Sequence, residues 1–396
     1  MAGPLDGLRV LELGQLIAGP FAARMLGEFG AEVIKIEPPG SGDPLRKWRL
    51  LHDGTSVWWA AQSRNKRSVT LDLRTPEAHD AVRKLAATAD VLIENFRPGT
   101  LEGWGLGWDA LHALNPRLIM LRVSGYGQTG PYRDRPGFGL VGEAMGGLRH
   151  LSGEPGRPPV RVGISIGDSL SALHGVIGVL LALRQRDQNG GDGQCVDVAL
   201  YESVFNMMES LLPEYSVFNE IRQPAGSSLP GITPSNAYLC ADGKYALIAG
   251  NGDSIFKRLM TAIGRPDVAA NPAYAHNDGR ARDAATIDGI IGDWARRYPL
   301  EQVLRTLNEA RIPAGKVYDI ADICADPHYR ARDMILDATL DDGTPVKLPG
   351  IVPKLSATPG GVRRGAPRLG QDTDRVLESI GIDSGTRADW RARGII

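Results

Sequence analysis

The sequence predicts an α/β protein with a parallel sheet covered by helices on both faces and a boundary near Gln223. Two observations predict it. Strand-like apolar runs alternate with helix-length segments through the first half of the chain, as in folds built from strand–helix–strand units. From about Gln223 the texture becomes rich in Pro, Gly and Ser, which marks a break in organisation.

Leu8 to Leu13 reads as the first strand, Gly19–Pro20 opens a helix that runs through Gly27, and Glu32 to Glu37 reads as the next strand. Pro20 suits a first helical turn, where its missing N–H has no partner to lose. A basic turn, Arg64-Asn65-Lys66-Arg67, leads to a strand from Ser68 to Leu73 and a helix from Pro76 to Thr88. Val91 to Ile93 and Leu118 to Ser124 read as further strands. The clearest helix spans Asp168 to Arg186, where Leu170, Leu173, Ile177, Leu180 and Leu181 recur at helical spacing. After a turn at Asn189-Gly190-Gly191 come a strand from Gln194 to Val198 and a helix through Leu211. Ala237 to Leu247 reads as a hairpin turning at Asp242-Gly243. Helices follow over Ser254 to Ile263, Thr286 to Arg297 and Leu300 to Ala310, then a hairpin near Asp342-Gly343 and a helix from Thr373 to Ile380.

Composition narrows the function. With 396 residues, 42% of them hydrophobic, the chain is long enough for two domains. Its 49 glycines and 27 prolines are scattered, which indicates many turns rather than disorder. A net charge of −1 argues against a nucleic-acid partner. Cys195, Cys240 and Cys324 lie far apart, so neither a disulfide framework nor a metal site is expected. The N-terminal residues show no basic segment followed by an apolar one, and no window of about 18 uninterrupted apolar residues occurs. A cytosolic protein with no membrane span and no signal peptide is expected.

Two stretches carry candidate chemistry. The first resembles a dinucleotide-binding unit, but Gly14 to Pro20 reads G-Q-L-I-A-G-P rather than GxGxxG, which argues against a nicotinamide or flavin cofactor. The G-x-G at Gly103 and Gly105 is a pattern that loops produce by chance. The second stretch surrounds Asp168, where a glycine-bearing turn gives way to the long apolar helix. Two readings fit it. Asp168 is an ordinary helix cap, or it is a nucleophilic carboxylate kept ionised by the helix N-terminus, with amides nearby for an oxyanion. Gly163, Gly167 and Ser169 leave room for a substrate. His174 is off the spacing needed to pair with Asp168 and reads as a core or surface histidine.

Several motifs, in order over nearly the whole chain, resemble the family III CoA-transferases of the CaiB/BaiF type. They are Leu16-Ile17-Ala18-Gly19-Pro20, Glu32 to Glu37 with Gly40-Ser41-Gly42-Asp43, and Asn65-Lys66-Arg67-Ser68. Glu94 to Gly99, Ser124 to Pro131, Gly167-Asp168 and Leu369-Gly370-Gln371 with Thr373 complete the set. The resemblance implies that Asp168 is the nucleophile, acting through an aspartyl anhydride and an aspartyl-CoA thioester. It implies CoA contacts at Ile17, Ala18, Leu71, Arg74, Asn95 and Phe96, with CoA or acyl-CoA as substrate and no tightly bound cofactor or metal. Arg64, Lys66 and Arg67 suit phosphates chemically, or else form a solvated turn. Pro38 and Gly103 stand where relatives carry basic residues, so Arg97 or Arg46 is expected to substitute.

The resemblance also implies a large Rossmann-like domain from residues 1–222 and 329–396, a smaller α+β domain over 223–328, and an interlocked homodimer. Ser227 to Gly231 falls near the family's flexible loop, but only Gly226 and Gly231 flank it, which suggests an acceptor other than oxalate. The acceptor is expected to be a small dicarboxylate, its distal carboxylate paired with Arg46, Arg149, Arg157 or Arg161. Two alternatives stay open. One is an acyl-CoA racemase, disfavoured because Phe138 stands where that branch carries a histidine. The other is a CoA-binding protein without catalysis.

Overall fold

The computed structural model describes residues 3–396 and divides into two compact units. The first comprises residues 3–149, 161–221 and 328–396, and the second residues 150–160 and 222–327. Sequence reading placed the middle boundary at 223 but had no signal for 150–160, a short excursion inside a continuous polar stretch.

In the first unit, strands β1 (Arg9–Glu12), β2 (Glu32–Glu37), β3 (Lys66–Thr70), β4 (Val91–Glu94), β5 (Ile119–Ser124) and β6 (Cys195–Ala199) form one sheet. Their order is β3-β2-β1-β4-β5-β6 and every pairing is parallel. Both faces are buried, so apolar residues stand at consecutive strand positions without alternation and feed different cores. Leu11, Ile34, Leu92 and Met120 join one core with the helix α2 (Pro76–Ala86). Val10, Val33, Ile93 and Leu121 join the other with the helices α1 (Ala18–Glu28) and, after α3 (Gly139–Met145), α4 (Ile166–Asn189).

The leucine-rich stripe that identifies α4 in the sequence does not face the sheet. Leu173, Ile177, Leu180 and Leu181 are exposed, and the buried face is Ala172, Gly175, Val176, Val179 and Leu183. Small residues face inward because the helix lies close to the sheet: a Cβ on Gly178 would stand 2.5 Å from Val196. By length and composition alone α4 is apolar enough to cross a bilayer, which the scan for uninterrupted apolar residues did not detect. The helix expected through Leu211 is two helices. The helix α5 (Leu200–Phe205) ends before Glu209, whose φ of 49° breaks the run, and a new helix begins at Leu211.

The basic turn at 64–67 is not a solvated turn. Lys66 and Arg67 lie in β3, and Arg64 and Lys66 are fully buried. Arg64 donates to Glu28 at 2.7 Å and Lys66 pairs with Glu12 at 2.8 Å. Neither is available to a phosphate. The exposed edge of β3 is covered by the C-terminal segment: Ser68 N–H donates to Asp372, and Asp372 N–H donates back to Ser68 O.

The second unit carries an antiparallel sheet of β7 (Ser235–Leu239), β8 (Tyr245–Ala249) and β9 (Ala314–Lys316), ordered β9-β8-β7. Three helices, α6 (Asp253–Ala262), α7 (Ala284–Ala295) and α8 (Leu300–Glu309), supply its core through Phe256, Ile291 and Leu307. The loop at 227–231 lies in this unit, where Ser227 donates to Asn236.

Candidate active site

A parallel sheet binds ligands beyond the carboxyl ends of its strands, where the strand order reverses. Here that point lies between β1 and β4, and a cavity of about 570 Å³ opens there. The chain after β1 supplies Gln15 to Ala18, the chain after β4 supplies Asn95 to Pro98, Ser124 ends β5, and Leu200 follows β6. The glycine fingerprint is missing, yet the crevice of the fold is present.

The first loop is preset by its neighbours. Asn95 accepts from Gln15 N–H and donates to Gln15 O, both at 2.8 Å. Asp43 accepts from Leu16 N–H at 3.1 Å, holding Leu16 at a left-handed φ of 64°. Beneath it Lys35, fully buried, donates to Glu12, Gly14 O and Asp43, each at 2.8 Å. Glu12 and Lys35 are register partners on adjacent strands, so the loop is tied to the sheet. Burial draws Lys66, which shares Glu12, down to about 8. At the end of this loop, Ile17 caps α1 without a side-chain bond, and Ala18 opens the helix on the cavity wall.

Asp168 lines the same cavity, from the first turn of α4 rather than as its cap. Ser165 is the cap residue, and Ser165 and Asp168 have the spacing of a capping box. No side-chain cap bond forms there. The same spacing at Asp319 and Asp322 does form a full capping box elsewhere in the chain. The Asp168 carboxylate is thus left for the cavity, against the backbone of Gly139 at the start of α3. Burial, and then the charge of Glu143, push its carboxyl up to about 6, with Arg161 pulling it back.

Of the other residues read from sequence, Ile17, Ala18, Asn95, Phe96 and Arg97 line the cavity beside Asp168. Leu71 and Arg74 do not. Leu71 is packed in the core just after β3, and Arg74 grips Asp72 at the surface with two bonds of 2.8 Å. Arg46 is removed as a ligand for phosphate or carboxylate: it is buried against Glu37 at 2.8 Å and stacks on Trp59. Arg149 pairs with Glu143 outside the cavity lining, Arg157 lies in the second unit, and Arg161 lines the cavity. Phe138 also lines it, 71% exposed. Sequence reasoning missed Gly139, Glu143, Arg133 and Arg135, because nothing local marks them as neighbours of Asp168.

Comparison with known proteins gives this geometry its family. A profile of CoA-transferase family III matches residues 5–373. The chain is 49% identical to the succinyl-CoA–D-citramalate CoA-transferase of Chloroflexus aurantiacus over 99% of its own length and 98% of that protein's. It is 44% identical to the succinyl-CoA–L-malate CoA-transferase beta subunit of the same organism, over 99% and 98% of the two chains. A crystal structure of a CaiB/BaiF family protein from Brucella suis superposes with a TM-score of 0.84 at 32% identity, covering 96% of this chain and all of that one. The chain, with its parallel sheet and its aspartate-bearing cavity, belongs to CoA-transferase family III and is an enzyme of that kind.

Proposed function

We propose that the enzyme moves CoA from succinyl-CoA to a four- or five-carbon dicarboxylic acid, with Asp168 as the covalent nucleophile. The observation that carries the reading is the Asp168 carboxylate itself, half-buried in the first turn of α4, making no bond to the cap residue and lining the cavity. With a carboxyl near 6 it is largely ionised at neutral pH and more basic, hence more nucleophilic, than a surface aspartate.

In the first step an Asp168 oxygen attacks the thioester carbonyl, the C–S bond breaks, and CoA leaves as its thiolate. The product is a mixed anhydride. The thiolate then attacks Cγ of Asp168, releasing the donor acid as a carboxylate and leaving an aspartyl-CoA thioester. The acceptor carboxylate repeats the exchange in reverse, which returns Asp168 free. Each step has a good leaving group, so no proton must be supplied to expel one. The Ala18 amide, at the start of α1 and on the cavity wall, is suited to donate to the oxyanion of each tetrahedral intermediate. Phe138 cannot carry a proton, which disfavours racemase chemistry.

The dicarboxylate class is supported by the names of the two Chloroflexus relatives and by the charge of the cavity. Five of its six charged lining residues are arginines, Asp168 being the sixth. The exposed apolar stripe of α4 is best explained by a second copy of the chain, so we propose a homodimer working in the cytosol. Succinyl-CoA incubated with citramalate, malate or glutarate should yield the new CoA ester by chromatography, and Asp168→Ala should yield none. Transfer at the wild-type rate by Asp168→Ala would sink the proposal.

A further inference from the structure

The five cavity arginines are not equivalent. Arg135 stacks on Tyr132, and Arg133 pairs with its neighbour Asp134. Arg97 follows β4 in the same turn as Asn95, and Arg49 lies over the ring of Trp58. Arg161 is the cation whose charge acts on the Asp168 carboxyl.

Behind Asp168 lies a carboxylate that the exchange chemistry does not use. Glu143, on α3, is fully buried. It packs under the first turn of α4, where a Cβ on Gly167 would touch its Cγ at 3.3 Å. Among the described residues, neither of its oxygens receives a hydrogen bond. Its cations are Arg149 at 3.5 Å and Arg161 at 3.8 Å. A buried carboxylate without hydrogen bonds is costly, and charge pairing alone holds it.

The looseness of that pairing is the informative part. Elsewhere in this unit buried glutamates take arginine donors fully. Glu37 receives Arg46 at 2.8 and 2.9 Å, and Glu94 receives Arg122 at 2.7 Å. Those arginines are spent. Arg161 is attracted to Glu143 without donating to it, and its side chain is 45% exposed. Its guanidinium lies beside Glu143 and, among the described residues, gives no hydrogen bond to a protein partner. A planar fork with free donors beside a nucleophile that handles carboxylic acids suits a second carboxylate, taken two bonds at a time.

We infer that Arg161 binds the distal carboxylate of the diacid while the other end is joined to Asp168, and that Glu143 is the positioning residue that holds Arg161 there. The inference rests on the reading of Asp168 as the CoA-exchanging nucleophile. A monocarboxylic acid of equal length leaves Arg161 without its ligand. Because the guanidinium is half exposed, the discrimination is expected to be on the order of 10- to 100-fold in kcat/KM, below that of a fully buried polar site.

The test is an internal competition. Glutarate and pentanoate, equal in length, compete for CoA from succinyl-CoA in one tube, and the product ratio reports relative kcat/KM independently of the donor. The wild type should favour glutarate by that factor. Arg161→Gln should bring the ratio close to one, Arg161→Lys should retain part of the preference, and calorimetric CoA binding should persist in both. Glu143→Gln should raise the KM for glutarate several-fold more than it lowers kcat, and should add nothing to Arg161→Gln in the double variant. An unchanged ratio in Arg161→Gln overturns the role of Arg161. An additive loss in the double variant overturns the role of Glu143. A wild type that transfers CoA to pentanoate alone overturns the inference but leaves Asp168 as nucleophile. No transfer to either acid, with no activated Asp168 trapped, removes the transferase reading and this inference with it.

Discussion

Gly139 is the tightest constraint on the proposed nucleophile. A Cβ at this position would stand 2.1 Å from Oδ2 of Asp168 and 2.9 Å from its Cγ, whereas real Cβ atoms essentially never approach within 3.0 Å. Gly139→Ala therefore requires a separation of about 1 Å. The helix α3 has little room to retreat: its Gly142, and Gly146 just past its end, already lie so close to α5 that a Cβ there would meet Leu200 at 2.8 Å and Val204 at 2.6 Å. The carboxylate is the part that moves. A displacement of about 1 Å at a reacting group costs on the order of 100-fold in rate, while overpacking of one methyl costs about 1–3 kcal/mol of stability. The expected result is a kcat lowered roughly 100-fold with a folded protein and a modest fall in Tm. Gly289→Ala is the control, since a Cβ there meets nothing within 4 Å and it lies inside the helix α7. It should keep full activity and gain up to about 1 kcal/mol. The assay is steady-state CoA exchange alongside thermal unfolding. A Gly139→Ala enzyme with a kcat within about twofold of wild type would refute the reasoning, because a nucleophile displaced by about 1 Å cannot retain its rate.

Asp168 makes two further predictions. Its kcat/KM profile should rise with pH to a midpoint of about 6 and stay flat above it; a profile flat from pH 4.5 to 8, values that bracket about 6, would contradict the assignment. Its folded carboxyl lies above the unfolded value of 3.8, so the folded state binds the extra proton between those values. Stability from this group is full below 3.8 and is lost as pH rises through about 6. Asp168→Asn should therefore be the more stable protein at pH near 8, by about 2 kcal/mol after allowing for solvent in the cavity, with no advantage in acid; equal stabilities at both extremes would count against it. Asn95→Ala strips both hydrogen-bond partners from the Gln15 backbone. It should cost about 2 kcal/mol and raise the KM for the CoA ester more than it lowers kcat; an unchanged KM would detach this loop from CoA binding. Finally, wild-type enzyme in deuterated solvent should incorporate no deuterium at the α-carbon of a branched acyl-CoA, since Phe138 supplies no base; incorporation would revive the racemase alternative.

Much of the sheet was legible because its strands are apolar runs bounded by turns. Glu32 to Glu37 has the limits read from sequence, and the helix at Pro76 begins where its proline indicates. The charges inside the sheet were not legible. Lys66 reads as part of a basic turn because its partner, Glu12, lies on β1 with β2 between them. Only the register makes them neighbours. The same limit applies to the site. Asp168 stands out in sequence as a carboxylate at the start of a long helix, but that it is not engaged in capping is visible only once Ser165 is found without a cap bond. Glu143 sits in a short helix with no pattern that marks it as buried, and its burial comes from the packing of α3 on α4 and α5. The apolar stripe of α4 was found by periodicity, which identifies a helix but not what its stripe faces.

The central claim is that acyl groups become covalently attached to Asp168. Enzyme mixed with succinyl-CoA and quenched with hydroxylamine should carry a hydroxamate at Asp168, located by peptide mass spectrometry, and none when CoA ester is omitted. Rapid CoA exchange under the same conditions with Asp168 unmodified, or with the adduct on another carboxylate, would contradict the account.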